Sequence, residues 1–186
     1  MSSETTTNVN INEEKVMYFY GHTRAKDDYH REVFSNFYPA TFQDEKRTYC
    51  CSEQYLMVHK ADLFADKETA DLIMAESDPH KIKALGRRVK NFTQETWDKN
   101  CLQIMIDGCY LKFSQNEKLR TSLLSTVGYE LAEAAGNDKI WGIGIDRRTA
   151  QSVGKAGWKG TNLLGVALMA VRDRIMNERK QKASII

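Results

Sequence analysis

"TQETWDKNCLQIMIDGCYLKFSQ" fills residues 93–115, and its reading decides the fold. Trp97, Cys101, Ile104, Met105, Gly108 and Leu111 recur at three- and four-residue steps, the period of one face of an α-helix. Thr93 stands where an N-cap belongs, so the stretch predicts the longest helix of the chain. Further helices flank it. Ser52 is placed to cap "SEQYLMVHKADLF" and Asp66 to cap "DKETADLIMA". Asp78-Pro79 is a cap followed by a proline in the first turn, a strong start signal. A short helix is expected near residues 116–124. The last is expected to start near Asn162, with Leu164, Leu168, Val171 and Ile175 on one face.

The strands are few. "VMYFYG" (16–21) reads as a strand ending at a glycine. "TFQDEKRTYCC" reads as a hairpin turning at Asp44, Glu45 and Lys46. "ELAEAA" and "KIWGIGI" are taken as short strands. The sum is an α+β fold, a single mostly helical domain with a small β-sheet. Its expected bounds are residues 16–176, between a polar N-terminal tail (1–15) and a basic, fraying C-terminal tail (177–186).

Composition narrows the function classes. The 186 residues are 41% hydrophobic and 28% charged, as in an ordinary soluble globule. A net charge of +2 gives no strong field for nucleic acid or membrane. No run of about 18 apolar residues predicts a transmembrane helix. The opening "MSSETTTNVNINEE" lacks the apolar core of a signal peptide, so an intracellular protein, cytoplasmic or nuclear, is expected. Cys50, Cys51, Cys101 and Cys109 have no zinc-ligand spacing with one another or with the scattered histidines, so no metal is expected.

Several motifs invite a chemical reading. "GIGID" (142–146) lacks the third glycine of a dinucleotide fingerprint: Arg147 stands there, and no helical pattern is read directly after it. "GWKGTN" lacks the GK[ST] of a phosphate loop. Glu53 and Lys60, seven apart on one predicted helix, share a face with Leu56 and Met57. They read either as a surface carboxylate with a snorkelling lysine or as an acid and an amine in a partly dry cleft. In "FSNFYPATF" (34–42), Ser35 and Asn36 sit between Phe34 and Phe37. That is either a loop tucked by its aromatics or one placing an amide and an aromatic against a ligand. Residues 137–174 concentrate two tryptophans and six glycines, which suggests a pocket wall.

Taken in order, "FSNFY", "SEQYLMVHKA", a Trp early in a long helix, "LAEAAGNDKIWGIG" and "WKGTNLLGVALMAVR" form a pattern. It resembles the NADAR, or YbiA-like, family from about Tyr18 to Ile175. The closing "GWKGTNLLG" after the spacer "DRRTAQSVGKA" is similar to eukaryotic and phage members. The resemblance implies a YbiA-like fold and an enzyme that cleaves N-glycosidic bonds between ribose and a base, with no cofactor. It implies two substrate classes: ADP-ribose on guanine, including guanine in DNA, and the phosphoribosyl aminopyrimidines of riboflavin synthesis. A non-catalytic ADP-ribose-binding module is the remaining alternative. No membrane and no obligate protein partner are implied. On this resemblance Lys60 is the covalent residue, forming a Schiff base with C1 of the opened sugar, and Glu53 and Glu133 move protons. Gly21, Arg24, Ser35, Asn36, Phe37, Trp97, Trp141, Gly142, Gly144, Asp146 and Asn162 are the expected substrate contacts. Asn162, at a helix start, is expected at a phosphate, and Arg147 and Arg148 as anion clamps beside Arg24.

Overall fold

The structure is a computed structural model and describes residues 15–22 and 31–184. Strand β1 (Val16–Phe19) is followed by a 3-10 turn (Arg31–Phe34) and the hairpin β2 (Phe42–Gln43) and β3 (Thr48–Tyr49). Five helices come next: α1 (Ser52–Leu63), α2 (Lys67–Ala75), α3 (Pro79–Gly86), α4 (Gln94–Gln115) and α5 (Glu117–Leu124). Strand β4 (Glu130–Glu133), α6 (Arg147–Val153), a second 3-10 turn (Lys155–Gly157) and α7 (Leu163–Ala183) complete the chain. The protein is mostly helical with a little sheet. Among the described residues no helix is long and apolar enough to cross a membrane.

Local chemistry starts the helices. Asp66 accepts from the Thr69 amide and Asp78 from the His80 amide, with Pro79 in the first turn of α3. Ser52 is not the cap of α1: Cys51 holds that position, and Ser52 is the first helical residue. Burial then packs the helices. Trp97, Cys101, Met105, Gly108, Cys109 and Phe113 of α4 face inward, and α1 and α7 pack against that helix. Two glycines set the approach distances. A Cβ on Gly108 would strike the Tyr55 ring of α1, and one on Gly86, at the end of α3, would strike the Met57 side chain. Each large apolar side chain enclosed this way, such as Leu56, Phe113 or Leu168, contributes about 1.5–3 kcal/mol.

β1 and β4 pair in parallel, Tyr18 opposite Ala132 and Phe19 opposite Glu133. A parallel pair needs a long crossover, and α1 to α5 supply it. The alternation of a strand divides the core. Phe19 and Leu131 join the helical core, while Tyr18 and Ala132 pack with Ala134, Ile143, Ile145 and Ala150 on the other face. Trp158 closes that second cluster, edge to face with Tyr18.

Three expectations need correction. "KIWGIGI" is no strand: the Ile140, Trp141 and Gly144 amides turn back to Asp138, and the Ile143 amide meets β4 only at its last carbonyl, Glu133, so no ladder forms. A helix does follow "GIGID", because Asp146 caps α6 by accepting from the amide and hydroxyl of Thr149. The basic tail is no separate segment from residue 177: α7 continues to Ala183.

Candidate active site

The carboxyl ends of two parallel strands open a crevice, the usual place for a ligand beside such a pair. Here Tyr20, Gly21 and His22 leave β1, and Glu133 ends β4. A cavity of about 380 Å³ lies against them, within the range of small-molecule sites. The loop after Phe34 brings Ser35, Asn36 and Phe37; α1 brings Glu53; α3 brings His80, Lys83 and, just past its end, Arg87. The loop after β4 closes the wall with Asp138 and Trp141.

Several wall residues are held from behind. Lys112, fully buried on α4, donates from Nζ to the Ser35 carbonyl at 3.0 Å, and burial pushes its ammonium pKa down to about 8. The Glu53 amide donates to the Asn36 carbonyl at 3.0 Å, tying the loop to the first turn of α1. Asn162 grips β4: its Nδ2 donates to the Leu131 carbonyl at 2.8 Å, and its Oδ1 accepts from the Glu133 amide at 3.0 Å. Asp138 Oδ1 accepts from the amides of Ile140 and Trp141, which leaves Oδ2 facing Lys83 Nζ at 3.6 Å.

The electrostatics follow from crowding. Glu53 is 3% exposed, and burial pushes its carboxyl up to about 7; Lys83 and Arg87 pull it down, and Asp138 pushes it further up. Glu133 is half-buried and lines the cavity. Burial and then Asp138 push it up to about 7, with Lys83 opposing and Glu53 adding. Two carboxyls poised near neutrality beside an amine can donate and accept protons at physiological pH.

Among the sequence-predicted residues, Gly21, Ser35, Asn36, Phe37, Glu53, Glu133 and Trp141 line this one cavity. Lys60 does not. Its Nζ donates to the Gly86 carbonyl at 2.9 Å and lies over the Phe92 and Trp97 rings. Trp97 is therefore a wall of the Lys60 pocket and the α4 core, not of the cavity. The shared helix face of Glu53 and Lys60 misled because two turns carry a side chain about 10.5 Å along the axis. Asn162 is buried and spent on backbone groups, so it holds Glu133 rather than an anion. Gly142 and Gly144 pack behind the wall. Asp146 caps α6 and borders a neighbouring cavity with Arg147, Arg148 and Tyr20. Arg24 lies outside the described residues. The site residues that sequence reasoning missed include His22, His80, Lys83, Arg87 and Asp138. One signal was present: His80, Lys83 and Arg87 fall three and four apart, on a single helical face. Among the described residues no group of histidines, cysteines and carboxylates is arranged to hold a metal ion.

Comparison with known proteins bears on this geometry. The NADAR domain model matches residues 18–176. N-glycosidase R617 of Acanthamoeba polyphaga mimivirus is 41% identical over 165 residues, 86% of this chain and 96% of that protein. Protein irg-1 of Caenorhabditis elegans is 37% identical, over 82% of this chain and 79% of its own. The NMR structure of the E. coli protein YbiA superposes with a TM-score of 0.72 at 27% identity, covering 89% of this chain and 88% of that one.

Proposed function

The chain belongs to the NADAR domain family, and from that premise we propose that it is an N-glycosidase that releases a base from ribose, with ADP-ribosylated guanine as substrate. The observation that carries the reading is the convergence of Glu53, Glu133 and Lys83 on one cavity, with both carboxyls near pH 7. The name of the mimivirus relative supports the reaction class. The eukaryotic and phage form of the closing motif supports the ADP-ribosyl substrate.

Lys83 takes the role that the sequence suggested for Lys60, because among the described residues Lys83 is the lysine that lines the cavity. Its proton passes to a carboxylate, Asp138 being the nearest fixed one. The neutral amine bonds to C1 of the ribose. The C1–N bond to the base breaks, and its electron pair leaves with the base, which takes a proton from Glu53 or Glu133. The lysine nitrogen, now bearing two protons, passes one through a carboxylate to the ring oxygen as the ring C1–O bond opens, and C1 is held as a protonated imine on Lys83. A carboxylate draws a proton from water as water adds to C1 and returns it to the lysine nitrogen; the C–N bond breaks with its electron pair on lysine, and the hydroxyl at C1 gives its proton to a carboxylate as the sugar leaves as an aldehyde.

Incubation with ADP-ribosylated guanosine, and separately with the phosphoribosyl aminopyrimidine, tests the reading by chromatography of the released base. Free guanine from the first supports it. Release from the aminopyrimidine alone moves the substrate to the riboflavin class, and release from neither removes the enzymatic reading.

A further inference from the structure

We propose that His22, Phe37 and His80 form the subsite for the departing base, a planar heteroaromatic ring held by stacking on Phe37 and by hydrogen bonds from the two imidazoles. The proposal rests on the reading of this cavity as a glycosidase site. Three separate segments bring the rings together. His22 follows β1, Phe37 ends the loop after the first 3-10 turn, and His80 lies in the first turn of α3. The Phe37 and His80 centroids are 5.0 Å apart at 85°, those of His22 and Phe37 5.7 Å at 53°, and those of His22 and His80 6.0 Å at 65°. All three line the cavity, and none belongs to either buried core cluster. Their mutual packing leaves ring surface facing a ligand rather than the interior.

Position relative to the amine identifies what that surface receives. Lys83 Nζ lies 5.8 Å from the Phe37 ring centroid. In a near-attack pose the reacting carbon is about 3–3.5 Å from the nitrogen. Stacked or edge-on aromatic rings have centroids about 4.5–7 Å apart. These distances leave room for a base bonded to that carbon on the Phe37 side to stack on its ring. Glu53, Glu133 and Asp138 line the rest of the cavity, and their carboxyls suit sugar hydroxyls and the atom joined to the base rather than a ring face. Each imidazole offers one donor and one acceptor in its neutral form, which matches the mixed edge of a nucleobase. His80 and Lys83 are three apart on α3, so the residue that reads the base and the residue that attacks the sugar sit on one rigid face.

The chain has four histidines, so imidazole ring-proton NMR reads the subsite directly, with signals assigned by single His→Gln variants. The probes are isocytosine, a free base, and ribose 5-phosphate, a sugar without one. Isocytosine is expected to shift the His22 and His80 signals, while His59, packed on Tyr55 with centroids 4.0 Å apart and away from the cavity, stays still. Phe37→Leu is expected to weaken isocytosine binding about five- to tenfold or more, the loss of one stacking platform. Ribose 5-phosphate binding and melting temperature should be unchanged in that variant, and His80→Ala should repeat the pattern. Still His22 and His80 signals at the solubility limit of isocytosine overturn the proposal, as does undiminished base binding in both variants. Turnover of the wild-type protein is read separately. Cleavage with unmoved imidazoles removes the base subsite and keeps the glycosidase. Moved imidazoles without cleavage keep the base subsite and remove the glycosidase.

Discussion

Glu53→Gln is expected to cost activity and to gain stability, the gain growing as pH rises from about 4.5 and complete above about 7. In the open chain a glutamate titrates near 4.5; in the fold, burial lifts Glu53 to about 7. A raised carboxyl binds its proton more tightly when folded, so its contribution to stability is intact at low pH. That contribution is lost as pH rises through about 7, where the fold must hold a buried charge. The separation between 4.5 and 7 corresponds to about 3 kcal/mol, an upper bound because the open chain itself retains some structure. Glutamine keeps the size of the side chain and does not titrate. Urea unfolding at pH 5 and pH 9 measures the difference. The variant should gain about 1–3 kcal/mol on wild type between those two pH values, while its turnover falls by about two orders of magnitude. An equal stability difference at both pH values refutes the reasoning, because it removes the buried charge that the site is built around.

Three further outcomes follow from other contacts. Asn162→Ala strips the partners from the Leu131 carbonyl and the Glu133 amide, so stability should fall by about 2–3 kcal/mol and turnover with it, read by thermal melting and initial rates. Lys60→Met should lower stability by about 1–2 kcal/mol through the lost Gly86 bond and ring contacts, yet keep the rate within about threefold of wild type. Gly86→Ala drives a Cβ into Met57 and should destabilise by about 1–3 kcal/mol, part of which Met57→Ala restores when the two are combined in a urea titration.

The sequence was legible where the cause is local. Asp66 and Asp78 cap because their carboxylates reach amides two or three residues on, and the spacing of Trp97, Cys101 and Met105 shows one buried face without reference to anything else. It was not legible where geometry depends on distant segments. "KIWGIGI" alternates as a strand does, but it touches β4 only at the Glu133 carbonyl, and its other bonded amides return to Asp138. His80, Lys83 and Arg87 stand three and four apart on one helical face, but that spacing points to no cavity until α3 packs on α1 and turns the face toward the ends of β1 and β4. Lys60 carried the opposite signal. It stands among apolar residues on a buried helix, but the groove it fills is lined by Phe92 and Trp97. Glu53 and Glu133 fell within motifs that the family resemblance marked, and the structure brings both to the cavity.

The central claim is that a lysine of α3 attacks the sugar, and reductive trapping tests it most directly. An imine at C1 is reduced by cyanoborohydride, whereas an oxocarbenium ion met by water leaves nothing to trap. With ADP-ribosylated guanosine in turnover, the account predicts an ADP-ribosyl mass on the enzyme, mapped to Lys83 within "PHKIKALGR" (79–87) and absent in Lys83→Ala. An adduct on Lys60 would contradict the assignment made from the cavity. Full turnover in Lys83→Ala with no adduct would contradict covalent catalysis itself, leaving Glu53 and Glu133 to activate water.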